Sequence, residues 1–291
     1  MVRIKDFSSW EKYEGAFEGS GRSEKIWLVN PENNDIGLFK FPKSIYTTEH
    51  LSEKIAADIA KLINVKCMVV EIGRYKERIG SLSYRINKDD EILVEGIQLI
   101  NKYYPFYKPE ILYDEKNKEY YSLEMILNSL GEYKFQRDFL KIPIFDFLIG
   151  NTDRHQNNWA ILKKDEDVKL CPLYDNGSSL CCYITDNNIK GYLGNDKLKF
   201  NSLVDTKSIS RIRIDKKLKK EPTHLNVVRF LKENYYYDII DIVQKTIDNV
   251  TEENIDKILI QYIDLMSKDR IILIKKFLIA KVNLLKKEFK M

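Results

Sequence analysis

Three polar residues in the middle of the chain constrain its fold more than any other feature. Asp153 and Asn158 lie five positions apart in Gly-Asn-Thr-Asp-Arg-His-Gln-Asn-Asn-Trp (150–159), and Asp175 follows 17 positions later in Leu-Tyr-Asp-Asn-Gly (173–177). An isolated Asp and Asn at this spacing would be typical of a turn held by its own Asx side chains. The neighbouring segments decide between that structural alternative and a functional site.

The segments on either side of this motif favour a functional site. An apolar run, 142–149, leads into it, and two short apolar runs, 159–162 and 168–171, flank a charged turn and so predict a β-hairpin. The far strand of this hairpin ends shortly before Asp175. We therefore expect Asn158 and Asp175 to meet at one edge of a cleft.

Phosphoryl transfer from ATP requires this set of side chains. One carboxylate orients the attacking hydroxyl, while an amide and a second carboxylate hold Mg²⁺ on the phosphates. The step from Asp153 to Asn158 equals the step between the base and the metal-binding Asn in the protein-kinase loop H-R-D-x-x-x-x-N. We therefore predict Asp153 as the catalytic residue and Asn158 and Asp175 as the metal ligands. His155, a further catalytic-loop candidate, is expected to hold the loop backbone or to approach the phosphates.

Residues 1–87 are predicted to form a mostly β lobe with one helix. Short apolar and aromatic runs predict the strands, and Leu51, Ile55 and Ile59 recur at helical spacing. The predicted strands are 25–29, 37–41, 67–72 and 79–86, and the predicted helix is 48–63.

Lys40 is the candidate phosphate-binding residue of this lobe. A lysine on a half-buried strand needs a partner or a ligand, although the alternation of Leu38, Lys40 and Pro42 also fits a solvated strand face. In the functional alternative Lys40 contacts the ATP phosphates and pairs with a glutamate on the following helix. Glu53, flanked by alanines at helical spacing, is the predicted partner. Glu49 is the rival, and its position fits a solvated first-turn acid better.

A glycine-rich segment precedes the first predicted strand. Gly19, Ser20 and Gly21 are predicted nucleotide contacts, because exposed backbone N–H groups form a nest for phosphates. A flexible turn of Gly and Ser remains the structural alternative. Ser20 and Ser23 are the predicted autophosphorylation sites, since a phosphate there would disorder the loop or expel nucleotide.

Residues 88–291 are predicted to form a larger and mainly helical lobe. Helices are predicted at 92–103, 121–130 and 135–147 and again from residue 225 onward, with a weakly periodic polar stretch at 186–221. The basic segment 211–220 fits a solvated face, or a surface that steers an acidic substrate to the cleft. The prediction is thus an α+β, two-lobed protein-kinase-like fold whose lobes meet near 84–90.

Composition argues against several other classes of protein. The net charge of +4 over 291 residues is too small to indicate stable nucleic-acid binding. The four cysteines show no C-x-x-C spacing, which argues against zinc and against a disulfide framework. No secretory signal is found in the first residues, and no apolar run approaches the roughly 18 residues of a membrane span. We expect a cytoplasmic protein, and secretion as an effector without a cleavable signal stays open.

The motifs resemble those of the HipA-like bacterial serine/threonine kinases. The similarity is most specific at G-N-T-D-R-H-Q-N-N-W and P-L-Y-D-N-G-S-S-L, and it extends to G-R-S-E-K, F-K-F-P-K and S-E-K-I-A-A-D-I-A-K-L. It implies ATP and Mg²⁺ bound between two lobes, a protein substrate, and an antitoxin or other regulatory partner. It also implies an adenine-contacting hinge, to which we assign Tyr84 and Ile86.

Two departures and two alternatives accompany this resemblance. No separate N-terminal subdomain is expected before the kinase lobe, so the antitoxin contacts of longer members are not carried over. Asn176 stands where many kinases have Phe. The D-R-H-x-x-N loop is also similar to that of phosphoinositide kinases, so a lipid acceptor is one alternative. The other is a pseudokinase, a nucleotide-binding or scaffold module without transfer activity.

Overall fold

The computed structural model describes residues 1–15, 24–131 and 133–291. Its strands are β1 Lys5–Asp6, β2 Glu11–Lys12, β3 Lys25–Val29, β4 Ile36–Lys40, β5 Val70–Tyr75, β6 Arg78–Tyr84, β7 Ile92–Glu95, β8 Tyr107–Lys108, β9 Tyr113–Asp114, β10 Glu119–Tyr120, β11 Ala160–Lys164 and β12 Asp167–Leu170. Its α-helices are α1 Glu49–Leu62, α2 Gly96–Tyr103, α3 Leu123–Ser129, α4 Lys141–Ile149, α5 Asp186–Leu193, α6 Lys197–Val204, α7 His224–Asn234, α8 Tyr236–Asn249, α9 Glu252–Leu259 and α10 Lys268–Phe289. Two 3₁₀ helices span Gln136–Leu140 and Ile260–Tyr262.

A six-stranded sheet in the order β1-β5-β6-β4-β3-β2 carries Lys40. The strands β3 to β6 lie where apolar and aromatic runs predicted them, within a few residues, whereas the short edge strands β1 and β2 were not predicted. Successive side chains of a strand point to opposite faces, so Leu28 and Phe39 enter a small aromatic core on one face. Lys40, next to Phe39 in β4, therefore lies on the other face, where α1 packs.

Helix α1 is anchored in a second and larger core. Its buried apolar residues in that core include Leu51, Ile55 and Ile59. The same core contains residues of α4, α8 and α9, and the Tyr262 hydroxyl donates to Asp58 Oδ2 at 2.7 Å. The helix is thus fixed against the C-terminal half of the chain, whereas the sheet has its own core. The division of the chain at residue 87 stays a prediction.

Helix α4 delivers the chain to the candidate catalytic loop. It is buried along its length after Lys141 and ends at Gly150, whose φ is +67°. A Cβ on Gly150 would lie 2.7 Å from the ring of Phe277. Both the left-handed backbone and the close packing therefore require glycine here. Residues 151–158 follow directly.

The hairpin of β11 and β12 forms as predicted, and β7 pairs with the free edge of β11. The helix predicted at 92–103 was therefore wrong for its first four residues. Leu93 and Val94 pair instead with Leu162 and Ile161, and sheet packing overrides the helical pattern. The helical turn starts only at residue 96.

Two further differences concern the helical half. The stretch 186–221, predicted only as weakly periodic, contains α5 and α6. The helix predicted at 135–147 is a 3₁₀ turn followed by α4. Within residues 1–15, 24–131 and 133–291, no helix combines the length and the apolar character that a membrane crossing requires.

Candidate active site

Three charged side chains from separate elements meet beside the hairpin. Lys40 Nζ of β4 lies 2.8 Å from Asp175 Oδ1 and 3.6 Å from Glu53 Oε2 of α1. The side chains of Lys40 and Glu53 are 19% and 3% exposed, whereas that of Asp175 is 46% exposed. Lys40 is therefore not on a solvated strand face. The two carboxylates therefore differ in solvent exposure, because that of Glu53 is buried and that of Asp175 is accessible.

Glu53 also fixes the backbone that follows Asp175. Its Oε1 accepts a hydrogen bond from the Asn176 backbone N–H at 2.9 Å. Asp175 itself has a φ of 56°, a left-handed conformation that Asp tolerates better than most residues. A Cβ on Gly177 would lie 3.2 Å from Glu53 Oε2. The Asp-Asn-Gly sequence is thus shaped to pass closely over the glutamate.

Glu49 does not have the environment that the sequence predicted. We expected a solvated first-turn acid, but both carboxylate oxygens are buried and have no hydrogen-bond partner among the described residues. The start of α1 is covered by the segment after Asp175, as shown by the bond from Thr48 N–H to the Cys182 carbonyl at 3.2 Å.

The charges of this cluster support one another. Burial acts to lower the pKa of Lys40, but the carboxylates of Asp175 and Glu53 outweigh it and raise that pKa above its ordinary value. The Lys40 ammonium in turn lowers the pKa of Asp175, against the opposing effect of burial. At neutral pH the site therefore presents an ammonium and an ionised, accessible carboxylate.

The candidate catalytic loop is held by its own amide side chains. Asn151 Oδ1 accepts from the Asp153 backbone N–H at 3.1 Å, and Asn158 Nδ2 donates to the Asp153 carbonyl at 2.7 Å. Thr152 N–H donates to the Ser178 carbonyl at 3.1 Å, which ties the loop to the segment after Asp175. The backbone of Asp153 is therefore fixed on both sides, while its side chain is 37% exposed.

The Asp153 carboxylate has neighbours of both signs. Burial raises its pKa, Asp175 raises it further, and His155 and Arg211 oppose this. Arg211 Nε lies 3.6 Å from Asp153 Oδ1, and its Nη1 donates to Glu221 at 2.9 Å. The basic segment 211–220 thus reaches the site through one paired arginine, a contact that the sequence did not predict.

His155 lies within the loop in the first of its two expected roles. Its Nδ1 accepts a hydrogen bond from the Asn157 backbone N–H at 3.2 Å. Asn157 in turn donates to Glu95 Oε2 at 2.9 Å, which links the loop to the end of β7. A catalytic role for His155 stays a prediction.

Arg154 is the site residue that the sequence reasoning missed. It is 1% exposed and its guanidinium binds Asp146, with Nη2 at 2.8 Å from Oδ1 and Nε at 3.0 Å from Oδ2. It also donates to the carbonyls of Asn158 and Tyr174 and to the side-chain oxygen of Asn176. One buried arginine therefore joins α4, the catalytic loop and the Asp-Asn-Gly segment. The only sequence signal for this role was Asp146, a charged residue inside the apolar run 142–149.

The predicted adenine contacts lie at the end of the sheet. The Tyr84 hydroxyl donates to Glu71 Oε2 at 3.1 Å, and the ring packs against Trp10 on the face opposite Lys40. Ile86 packs against the apolar group beside β11. A nucleotide at this hinge would therefore meet the backbone of Tyr84 rather than its ring, and both contacts stay predictions. The predicted phosphate loop with Gly19, Ser20, Gly21 and Ser23 lies outside the described residues.

The polar residues present fit a magnesium ion held mainly by nucleotide. Among the described residues no group of three or more His, Cys, Asp or Glu could hold a metal. Mg²⁺ does not need one, because it usually takes one or two carboxylates and completes its shell with phosphate oxygens and water. The exposed Asp175 carboxylate is such a ligand. The hydrogen bond from Asn158 to the Asp153 carbonyl uses the amide nitrogen of Asn158. The amide oxygen, which is the atom that a cation requires, takes no part in that bond.

The fold of the protein is of the kinase-like class. A crystal structure of the Helicobacter pylori proinflammatory kinase CtkA matches with a TM-score of 0.80 at 21% identity, over 98% of both chains. A family model described as the HipA-like C-terminal domain matches residues 17–250, and the chain belongs to this family. The predicted two-lobed kinase-like fold and the resemblance to this family are confirmed.

Two further comparisons describe relatives. The chain is 24% identical over 257 residues to the serine/threonine-protein kinase CtkA of Helicobacter pylori strain J99. The aligned segment covers 83% of this chain and 74% of that protein. HipA of Shewanella oneidensis MR-1, in a structure with HipB and operator DNA, matches with a TM-score of 0.62 at 13% identity. That match covers 97% of this chain and 67% of HipA. At the level of the family, the homology supports a serine/threonine kinase.

Proposed function

We propose that this protein is an ATP- and Mg²⁺-dependent protein serine/threonine kinase that also phosphorylates itself. The observation that carries the proposal is the cluster of Lys40, Glu53 and Asp175 together with the nearby loop whose Asp153 side chain is partly exposed. Phosphoryl transfer depends mainly on positioning and on charge stabilisation, and these residue types supply both.

Each residue has one role in the proposed reaction. Asp153 accepts a hydrogen bond from the attacking hydroxyl of the protein substrate and orients it toward the γ-phosphate. Lys40, held by Glu53, binds phosphate oxygens and stabilises the charge that develops on them. Asp175 and Asn158 would hold Mg²⁺, which supplies further charge neutralisation when bound. Gly19, Ser20 and Gly21 stay the proposed phosphate-loop contacts.

A regulatory protein partner is part of the proposal. The support is the HipA structure, which was solved with HipB and operator DNA. We extend only the idea of a partner to this chain, because the identity between the two proteins is 13%.

The intact mass of the purified protein after incubation with Mg·ATP tests the proposal. The wild type should gain steps of about 80 Da, one for each phosphate added. Asp153→Ala should gain none while retaining ATP binding, because its carboxylate orients the hydroxyl rather than the nucleotide. Asp167→Ala, which removes an exposed carboxylate from β12, is the matched control and should behave as the wild type.

Three outcomes would contradict the proposal. Transfer by Asp153→Ala at close to the wild-type rate would remove Asp153 from the reaction. ATP binding without transfer to the protein itself, to protein substrates or to phosphoinositides would indicate a pseudokinase. Transfer to phosphoinositide vesicles alone would indicate the lipid-kinase alternative.

A further inference from the structure

A lysine is fully buried beneath the candidate catalytic loop. Lys281 of α10 is 0% exposed and lies over the rings of Phe147 and Phe277, at 4.5 and 5.2 Å from their centroids. Buried lysines are rare unless they are paired. Here the ammonium donates to a hydroxyl, Ser208 Oγ, at 2.7 Å. Since burying a charge is unfavourable, this position requires a physical explanation.

The lysine begins a continuous chain of buried hydrogen bonds. Ser208 Oγ lies 2.9 Å from His224 Nδ1, and His224 Nε2 lies 2.8 Å from the Asn151 carbonyl oxygen. Ser208 and His224 are 4% and 1% exposed. The chain therefore crosses from α10 through the loop before α7 and α7 itself to the start of the catalytic loop.

The chemistry of the groups gives the chain one direction. A carbonyl oxygen only accepts, so His224 Nε2 carries a hydrogen and donates to Asn151. Burial, with a further contribution from Lys281, lowers the pKa of His224 to about 3, so the ring is neutral and its Nδ1 accepts. Ser208 then donates to His224 and accepts from the Lys281 ammonium. Every bond points toward the catalytic loop.

The end of this chain lies two residues before Asp153. Asn151 uses its carbonyl for His224, its Oδ1 for the Asp153 N–H at 3.1 Å, and its Nδ2 for Asp146 Oδ1 at 3.0 Å. A shift of Asn151 would therefore move the backbone that carries the predicted base. Displacements of this kind change transfer rates strongly, because reacting groups must be aligned closely.

We propose that Lys281, Ser208 and His224 are positioning residues that hold Asn151 and thereby set the place of Asp153, with the Lys281 ammonium as the donor at the far end of the chain. The proposal rests on the kinase function proposed above.

The protonation state of Lys281 should make this chain of hydrogen bonds sensitive to pH. Burial lowers the pKa of Lys281 to about 7, while Cys181 and Asp205, which face it from neighbouring segments, act to raise it. Below that pH the Lys281 ammonium donates a charge-assisted hydrogen bond to Ser208 Oγ. Above it the neutral amine can donate only a weaker hydrogen bond to the same oxygen. The loop should therefore be held more firmly on the acid side of neutrality.

The test compares Lys281→Met with Lys287→Met, an exposed lysine on the same helix. Initial rates of phosphate transfer at several ATP concentrations give kcat and the KM for ATP between pH 6 and 8.5. At pH 6 the kcat of Lys281→Met should be on the order of tenfold lower than that of the wild type, with KM for ATP unchanged. The ratio of the two kcat values should approach one at pH 8.5. Lys287→Met should match the wild type throughout.

A second pair of variants tests the chain at His224. His224→Gln retains an amide donor for the Asn151 carbonyl, whereas His224→Leu removes it. The glutamine variant should keep a higher kcat than the leucine variant at equal thermal stability. Equal activities of the two would contradict a positioning role.

Amide hydrogen exchange of residues 150–158 at pH 6 separates this inference from the kinase proposal, because it requires no activity. Lys281→Met should exchange severalfold faster there than the wild type and Lys287→Met. Faster exchange in a chain that transfers no phosphate would refute the kinase but retain the positioning chain. Unchanged exchange together with a kcat ratio of one at every pH would overturn the inference.

Discussion

Removal of the buried guanidinium of Arg154 should destabilise the whole protein. Its side chain is 1% exposed, and that of its partner Asp146 is 3% exposed. Besides two close contacts with Asp146, Arg154 satisfies the carbonyls of Asn158 at 2.7 Å and Tyr174 at 2.9 Å, and Asn176 Oδ1 at 2.6 Å. In Arg154→Met all these acceptors lose a donor, and the carboxylate remains buried without its counter-charge.

The expected magnitude follows from the unpaired charge. Breaking a buried ion pair by removing one partner costs about 3–5 kcal/mol. With about 2.1 cal/mol/K of unfolding entropy per residue, a chain of 291 residues has about 0.6 kcal/mol/K in total. The Tm of Arg154→Met should therefore fall by about 5–8 °C. Arg137→Met, which removes an exposed arginine paired with Asp238, should change the free energy of unfolding by only about 0–1 kcal/mol.

Differential scanning calorimetry of a double-mutant cycle identifies the cause. In Asp146→Leu combined with Arg154→Met the buried charge is absent, so the double variant should be more stable than the sum of the two single effects predicts. Additive single effects, or a fall in Tm for Arg154→Met no larger than that for Arg137→Met, would refute the reasoning.

Two further predictions concern glycine and histidine. Gly150→Ala should lower the free energy of unfolding by about 1–3 kcal/mol in urea titrations, because of its positive φ and the ring of Phe277. Gly191→Ala inside α5, where a Cβ meets only the flexible end of a lysine, should be neutral or stabilising. Burial lowers the pKa of His224 to about 3 and that of His50 to about 4, from an ordinary value of 6.5. The unfolded chain binds more protons below pH 6.5, so in urea titrations stability should fall by about 1.4 kcal/mol per pH unit for each histidine between pH 6.5 and the folded pKa of that histidine, and His224→Gln should remove its share.

Much of the fold could be predicted because its signals are local. The stripe of Leu51, Ile55 and Ile59 predicts α1 almost to its ends, because a 3.6-residue period is visible within one segment. The runs at 159–162 and 168–171 predict β11 and β12 for the same reason. The five-residue step in the candidate catalytic loop is equally local, but it favours a functional site only together with its flanking segments, and its role stays a prediction.

The rest depends on contacts between distant segments, which one sequence does not display. β7 has a helical pattern, and only its pairing with β11 makes residues 92–95 a strand. Glu49 has the position of a solvated acid, yet both of its carboxylate oxygens are buried beside the segment after Asp175, which lies far from it in the sequence. His224 and Lys281 are separated by long stretches of chain from the loop they support, and neither belongs to a local pattern.

The contacts of Lys40 join the two halves of the protein, and this should link the position of Lys40 to metal binding. Lys40 belongs to the sheet with its aromatic core, whereas Glu53 belongs to a helix anchored in the larger core, so their distance of 3.6 Å reports how the halves are placed. The ammonium lies closer to Asp175, at 2.8 Å. A magnesium ion at Asp175, as proposed, would compete with the ammonium for the same carboxylate. Lys40 would then be shared between Glu53 and the phosphates, so metal binding and the positioning of Lys40 should be coupled.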